Sequence, residues 1–145
     1  MACVILIDVN ILVYAKRLDS FNHLKFRAWL EQTLRSEPLV GISELVLSSV
    51  VRILTHAQIF REPTQLDEAL EYVSKLREQP ACVPVAPGER HWEIFTRLCK
   101  MTGAKGNLVS DAYFAALAIE AGAEWITADR DYARFPGLRW RHPLA

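Results

Sequence analysis

The sequence predicts an α/β sandwich built around a largely parallel sheet, on three observations. Short β-branched apolar runs alternate along the chain with longer segments of helical periodicity. The first of these runs, Val4-Ile5-Leu6-Ile7, is apolar without interruption, which suits a strand covered on both faces. Acidic residues recur directly after such runs, where an open parallel sheet gathers its ligands.

Taken in order, the first strand covers Cys3–Ile7 and feeds a helix over Ile11–Lys16, which leaves Asp8 and Asn10 at the junction. A carboxylate at a core edge is costly unless something pairs with it. No Lys or Arg stands within seven residues of Asp8 on either side, so its partner must come from elsewhere in the fold. Leu24, Phe26, Trp29, Leu30 and Leu34 give an amphipathic helix over His23–Leu34 that stops before Pro38. Leu39–Ile42 is a short strand, and Ser43 is a suitable N-cap for a helix over Glu44–Thr55. Thr64 caps a helix over Gln65–Glu78, Val83–Val85 forms a short strand, and Gly88–Thr102 is helical, with Trp92, Phe95 and Leu98 at packing intervals. Ser110 caps the apolar helix Asp111–Ala121, which Gly122 ends. Glu124–Thr127 is the next strand, followed by Asp129 and Asp131, a helical turn, the Pro136-Gly137 turn and a last strand over Leu138–Trp140.

At 145 residues with 51% hydrophobic content the chain suits one domain, residues 1–145. Its 17 basic and 17 acidic residues cancel, so no global field draws it to nucleic acid or to an anionic membrane, and a polyanion must be held by a local patch. Three cysteines without C-x-x-C spacing argue against a disulfide framework or a zinc site. With no signal-peptide start and no apolar run near the roughly 20 residues that span a bilayer, a cytoplasmic protein without a membrane partner is expected.

Each acid has a structural explanation. Glu44 and Asp111 in first helical turns would complement the macrodipole. Asp8 could cap its helix, and Asp129 could organise the A-D-R-D turn. Together they suggest more, because Asp8, Glu44 and Asp129 follow predicted strands and Asp111 can point to the same edge. Two carboxylates 4 Å apart repel by about 4 kcal/mol at an effective dielectric near 20, so such a cluster needs protons or a cation. An all-oxygen set suits Mg²⁺ or Mn²⁺ and metal-assisted phosphodiester hydrolysis. Asn10 and Thr127 would then donate to the carboxylates, although Asn10 reads equally well as a helix-start residue. His23, His56, His91 and His142 form no close pair, and no glycine-rich phosphate loop occurs.

The motifs LIDVNILVYA and SDAYFAALAIEAGAEWITADRDYARFPGLRW resemble those of PIN-domain ribonucleases, specifically the VapC toxins of bacterial toxin–antitoxin pairs. The resemblance implies a three-layer α/β/α sandwich and a Mg²⁺-dependent, dimeric endoribonuclease silenced by a small VapB-like antitoxin. It matches Asp8 and Asp111 to the magnesium ligands, Asp129 to the acid after the fourth strand, and Asp131 to an auxiliary role. The chain departs from the pattern at the second acid: many members carry a glutamate two turns inside the helix, where Ser48-Ser49 stand here and Glu44 lies at the helix start. RNA would be gripped by cations drawn from Arg52, Arg61, Lys105, Arg130, Arg134, Arg139 and Arg141, for each of which a solvated surface position is the simpler reading. Trp92, Trp125, Tyr132 and Trp140 could stack bases, against the plainer reading of packing. Two rivals stand beside the nuclease. An aspartate-nucleophile phosphatase would want a second acid where Asn10 stands, and a catalytically silent PIN-like binding module is opposed by the intact Asp8, Asp111 and Asp129.

Overall fold

The structure is a computed structural model and describes residues 4–145. Five strands form one sheet in the order β3-β2-β1-β4-β5, and every neighbouring pair is parallel. They are β1 (Ile5–Ile7), β2 (Val40–Ile42), β3 (Cys82–Pro84), β4 (Glu124–Ile126) and β5 (Trp140–Arg141). Parallel strands need crossovers, and helices supply them: α1 (Val9–Lys16) and α2 (His23–Ser36), then α3 (Glu44–Leu54) and α4 (Leu66–Arg77), then α5 (His91–Thr102) and α6 (Asn107–Ala121). The turn η1 (Arg130–Arg134) links β4 to β5.

The strand order fixes the layers. The first two crossovers step from β1 to β2 to β3, while the third returns past β1 to β4. Right-handed crossovers running in opposite directions put their helices on opposite faces of the sheet. The packing agrees: α1 lies against α2 and α3, α3 against α4, and α5 against α6. The chain leaves β1 toward one edge and β4 toward the other, so the crevice between the carboxyl ends of these two strands is the switch point of the sheet.

Ile5, Leu6 and Ile7 are all buried, as a strand with helices on both sides requires. On α6 the small residues Ala112, Ala115, Ala116 and Ala118 are buried, which lets the helix approach the sheet closely. The Trp125 ring stacks on Phe114 with centroids 5.6 Å apart. A Cβ on Gly41 would come within 2.6 Å of Leu6 Cδ2, so a side chain at this central position of β2 would force the buried Leu6 to shift. No described helix is long and apolar enough to cross a membrane.

Several boundaries differ from those expected. The first helix opens at Val9 because Asp8 caps it, and the expected strand residue Cys3 lies outside the described residues. Thr64 does not cap α4; Gln65 holds that position, and the Thr64 hydroxyl accepts from Arg17 Nη1 at 3.3 Å. The helix predicted from Gly88 begins at His91, because the Gly88 and Arg90 N–H groups donate to the Glu120 carboxylate at 2.6 and 2.9 Å. Most consequentially, α6 begins at Asn107, a full turn before the expected Ser110 cap. Gly106, at φ 60° and ψ −131°, has a backbone shape that side-chain-bearing residues avoid, and it releases the chain into the helix early.

Candidate active site

β1 and β4 deliver the centre of the site. The Asp8 N–H donates to Ile126 O at 2.8 Å, so the residue after β1 is pinned against the end of β4. Both Asp8 oxygens are held: Oδ1 accepts the Val9 N–H at 2.6 Å and Oδ2 accepts the Thr127 hydroxyl at 2.6 Å. Thr127 is fully buried and its Oγ1 accepts the Asp129 N–H at 3.0 Å, which ties the third acid to the first. Asn10 completes the bracket, with Nδ2 donating to Thr127 Oγ1 and Oδ1 accepting the Ala128 N–H, each at 3.4 Å. It is both a first-turn residue of α1 and a partner of this network. Asp129 caps η1 by accepting the Asp131 N–H at 2.9 Å.

Asp111 enters from the other helical layer. Because α6 starts at Asn107, Asp111 stands in the second turn, so the expected macrodipole explanation for its charge does not apply. Its Oδ1 accepts the Tyr132 hydroxyl at 3.1 Å. Sequence reasoning weighed Tyr132 only as a stacking or packing ring. The ring does pack, but the hydroxyl reaches an acid, and the available signal was a tyrosine among core aromatics, since a buried phenol seeks a partner.

Electrostatics set these acids apart. Burial pushes the Asp8 carboxyl from its ordinary 3.8 up to about 7; the hydrogen bonds from Thr127 and Val9 oppose the rise, and the charges of Asp111 and Asp129 add to it. Burial, chiefly, also raises Asp111, with the charges of Asp129 and Asp131 adding to it and the Tyr132 hydrogen bond working against it. Burial, and then the charges of Asp8, Asp111 and Asp129 and the bond to Asp111, push the Tyr132 hydroxyl upward. The charges acting on Asp8 are all negative, so its environment disfavours ionisation and supplies no counter-charge.

The acids open into a cleft of about 990 Å³ lined by Asp8, Asn10, Asp111, Asp129 and Tyr132, and also by Ser49 and Arg52. Ser49 and Arg52 lie on α3, so the segment where the family pattern puts a glutamate presents a hydroxyl and a guanidinium here. Glu44 is not brought into the cleft, a correction to its expected grouping with the other acids. Its side chain is 84% exposed, its Oε2 lies 3.7 Å from Arg77 Nη2, and it borders a separate hollow beside β3. The reason is helical phase: Leu45, Ser49, Arg52 and Ile53 face the cleft, and at 100° per residue that face is centred about a third of a turn from Glu44.

Of the other cations, Arg52 alone lines the cleft among the described residues. Lys105 precedes α6 and Arg130 lies on η1, both exposed. Arg61 borders a different groove, Arg139 donates to Gly122 O, and Arg141 pairs with Glu124 at 2.8 Å. Trp125 and Tyr132 are buried, Trp140 is half-buried and Trp92 is exposed, so packing accounts for the first two rings.

Comparison with known proteins places this geometry. The PIN domain family matches residues 5–138. Ribonuclease VapC43 of Mycobacterium tuberculosis is 43% identical over 144 residues, covering 99% of this chain and 96% of that protein. Ribonuclease VapC25 of the same organism is 36% identical over 138 residues, covering 95% and 97%. Among solved structures, VapBC2 from Rickettsia felis bound to a promoter DNA fragment superposes with TM-score 0.69 at 17% identity, covering 96% of this chain and 98% of that one. The sarcin-ricin loop cleaving toxin VapC20 of Mycobacterium tuberculosis superposes with TM-score 0.65 at 15% identity, covering 93% and 98%. With a match across nearly its whole length and an acid-lined cleft at the switch point of its sheet, the chain belongs to the PIN-domain family, among the VapC ribonucleases.

Proposed function

We propose that the protein is a Mg²⁺-dependent endoribonuclease that acts in the cytoplasm as the toxin of a toxin–antitoxin pair. The observation that carries the reading is Asp8: a buried carboxylate on which two other acids act and with which no cation pairs among the described residues, in a cleft of about 990 Å³ that Arg52 also lines. The donor set fits magnesium. It is all oxygen, and among the described residues no three of His, Cys, Asp and Glu are arranged to hold an ion by themselves. Mg²⁺ commonly takes one or two carboxylates and fills its octahedron with water and phosphate oxygens, and Mn²⁺ accepts the same set.

Asp8 and Asp111 would hold the ion, which when bound lowers the pKa of the attacking water and offsets phosphate charge. The protein does the rest. Thr127 and the Val9 N–H fix the Asp8 carboxylate, Asp129 adds negative potential beside it, and Arg52, which lines the same cleft, receives a phosphate of the RNA. The phosphatase reading is disfavoured because the position two residues after Asp8, where it wants a second acid, holds Asn10, whose amide is bonded to Thr127. Relatives named ribonucleases and structural neighbours solved as VapBC support RNA as substrate and a small VapB-like antitoxin as partner. Leu18, Phe21 and Leu24, each at least 76% exposed, supply apolar surface for that partner or for a homodimer.

The test is cleavage of single-stranded RNA by protein freed of metal with a chelator. Activity should be absent, return with Mg²⁺ or Mn²⁺, and stay absent in Asp8→Asn; cleavage that persists without a divalent ion would overturn the mechanism. Co-expression with the neighbouring small gene product should yield a stable complex without nuclease activity.

A further inference from the structure

Tyr132 is placed with more care than packing demands. It is 2% exposed, and its ring is wedged between Trp125 and Phe135, with centroid distances of 5.5 and 5.8 Å. Phenylalanine would fill that space equally well, so the hydroxyl calls for its own explanation. That hydroxyl donates to Asp111 Oδ1 at 3.1 Å, which leaves Oδ2 without a protein partner among the described residues. The neighbouring Asp8 is also pinned, each oxygen by its own donor. Neither carboxylate is free to swing and offer two oxygens to one ion.

We infer that Tyr132 is a positioning residue for metal selectivity: by anchoring Asp111 Oδ1 it fixes the rotation of that carboxylate, so that it meets an ion through one oxygen and favours Mg²⁺ or Mn²⁺ over Ca²⁺. The physical ground is a difference in cation demands. Ca²⁺ takes six to eight oxygens and readily draws both oxygens of a carboxylate, whereas Mg²⁺ requires a compact octahedron that one-oxygen ligands fit. The inference rests on the proposed metal site, and it concerns only which ion that site prefers.

Calorimetric titration of Mn²⁺ and of Ca²⁺ into chelator-stripped protein tests it without recourse to activity. Tyr132→Phe should lose about tenfold in Mn²⁺ affinity, as loss of a partner to a metal ligand commonly does, while Ca²⁺ affinity holds or rises, so the preference for Mn²⁺ drops about tenfold or more. Tyr132→Leu, which removes the hydroxyl through a different side chain, should reproduce the change in preference. Phe135→Leu, which loosens the same packing but keeps the hydroxyl, should not. An unchanged Mn²⁺-to-Ca²⁺ ratio in Tyr132→Phe or Tyr132→Leu would overturn the inference and leave the metal site standing. Failure of the unaltered protein to bind either ion would overturn both.

Discussion

The molecule carries two concavities of similar size whose charges are arranged in opposite ways. The groove of about 840 Å³ between the end of α1, α2 and α4 is rich in ions, but they neutralise one another. Lys16 meets Glu68 at 3.4 Å, Arg17 meets Asp19 at 2.7 Å, and Arg27 meets Glu31 at 3.0 Å. Arg17 also donates to Glu62 O and lies 4.1 Å from the centre of the Phe60 ring. In the cleft at the switch point the charge is left open: Asp111 and Asp129 raise the cost of ionising Asp8, Asp129 does the same to Asp111, and the hydrogen bonds to Asp8 and Asp111 come from hydroxyls and a backbone N–H group. Volume does not distinguish the two. Uncompensated charge does, because a fold tolerates it only where a ligand arrives to balance it.

Removing one cleft acid is the sharpest way to break this contrast. Asp111→Asn keeps the shape and still accepts the Tyr132 hydroxyl, yet gives up a charge the site needs. Cleavage of RNA should fall by more than about 100-fold, beyond what the outer partner of a metal ligand typically carries, while the thermal melt stays level or rises. Full activity in that variant would place the chemistry elsewhere.

The next effect is on stability against pH. The folded carboxyl of Asp8 titrates near 7 instead of 3.8, so the folded state holds its proton more tightly than the unfolded chain does. Its contribution is fully present below about pH 4 and is lost as pH rises toward 7, with an upper bound of about 4 kcal/mol. Metal-free protein should therefore lose stability over that window in denaturant titrations, and Asp8→Asn should flatten the slope. A slope unaltered by the substitution would show that Asp8 is not the group responsible.

Smaller changes follow toward the rim. Arg52→Ala should raise KM for RNA by about tenfold with kcat less affected, as loss of a phosphate contact does, and should lower the salt dependence of binding. Glu44→Gln should change cleavage less than about twofold, because its exposed pairing with Arg77 belongs to another surface. In the groove, Glu68→Gln should leave cleavage unchanged and cost at most about 1 kcal/mol of stability, since its pair is largely exposed. A large loss of activity from either glutamate variant would blur the distinction between the two regions.

Much of this was legible in the residues. Continuous apolar runs marked strands at or near their true places, and the acids after the first and fourth strands marked the carboxyl edge of the sheet. Asp8, Asp111 and Asp129 do share a cleft, and Thr127 does donate to Asp8, whereas Asn10 donates to Thr127 and to no carboxylate among the described residues. What remained hidden depends on phase and on contacts remote in sequence. Whether Glu44 or Ser49 faces the cleft is decided by where α3 begins and how it rolls on the sheet, which a carboxylate count does not carry. The early start of α6 follows from a backbone shape at Gly106, whereas Ser110 offered the stronger capping letter. The bond from Tyr132 to Asp111 spans 21 residues and becomes visible only once η1 is folded against α6.

The central claim is that the open charge of the cleft awaits a divalent cation, and the most direct measurement is the melting temperature at pH 8 with and without millimolar Mg²⁺. The account predicts that Mg²⁺ raises the melt of the unaltered protein, and that Asp8→Asn gains nothing when Mg²⁺ is added. A melt indifferent to Mg²⁺, or an Asp8→Asn protein still stabilised by it to the same degree, would contradict the account.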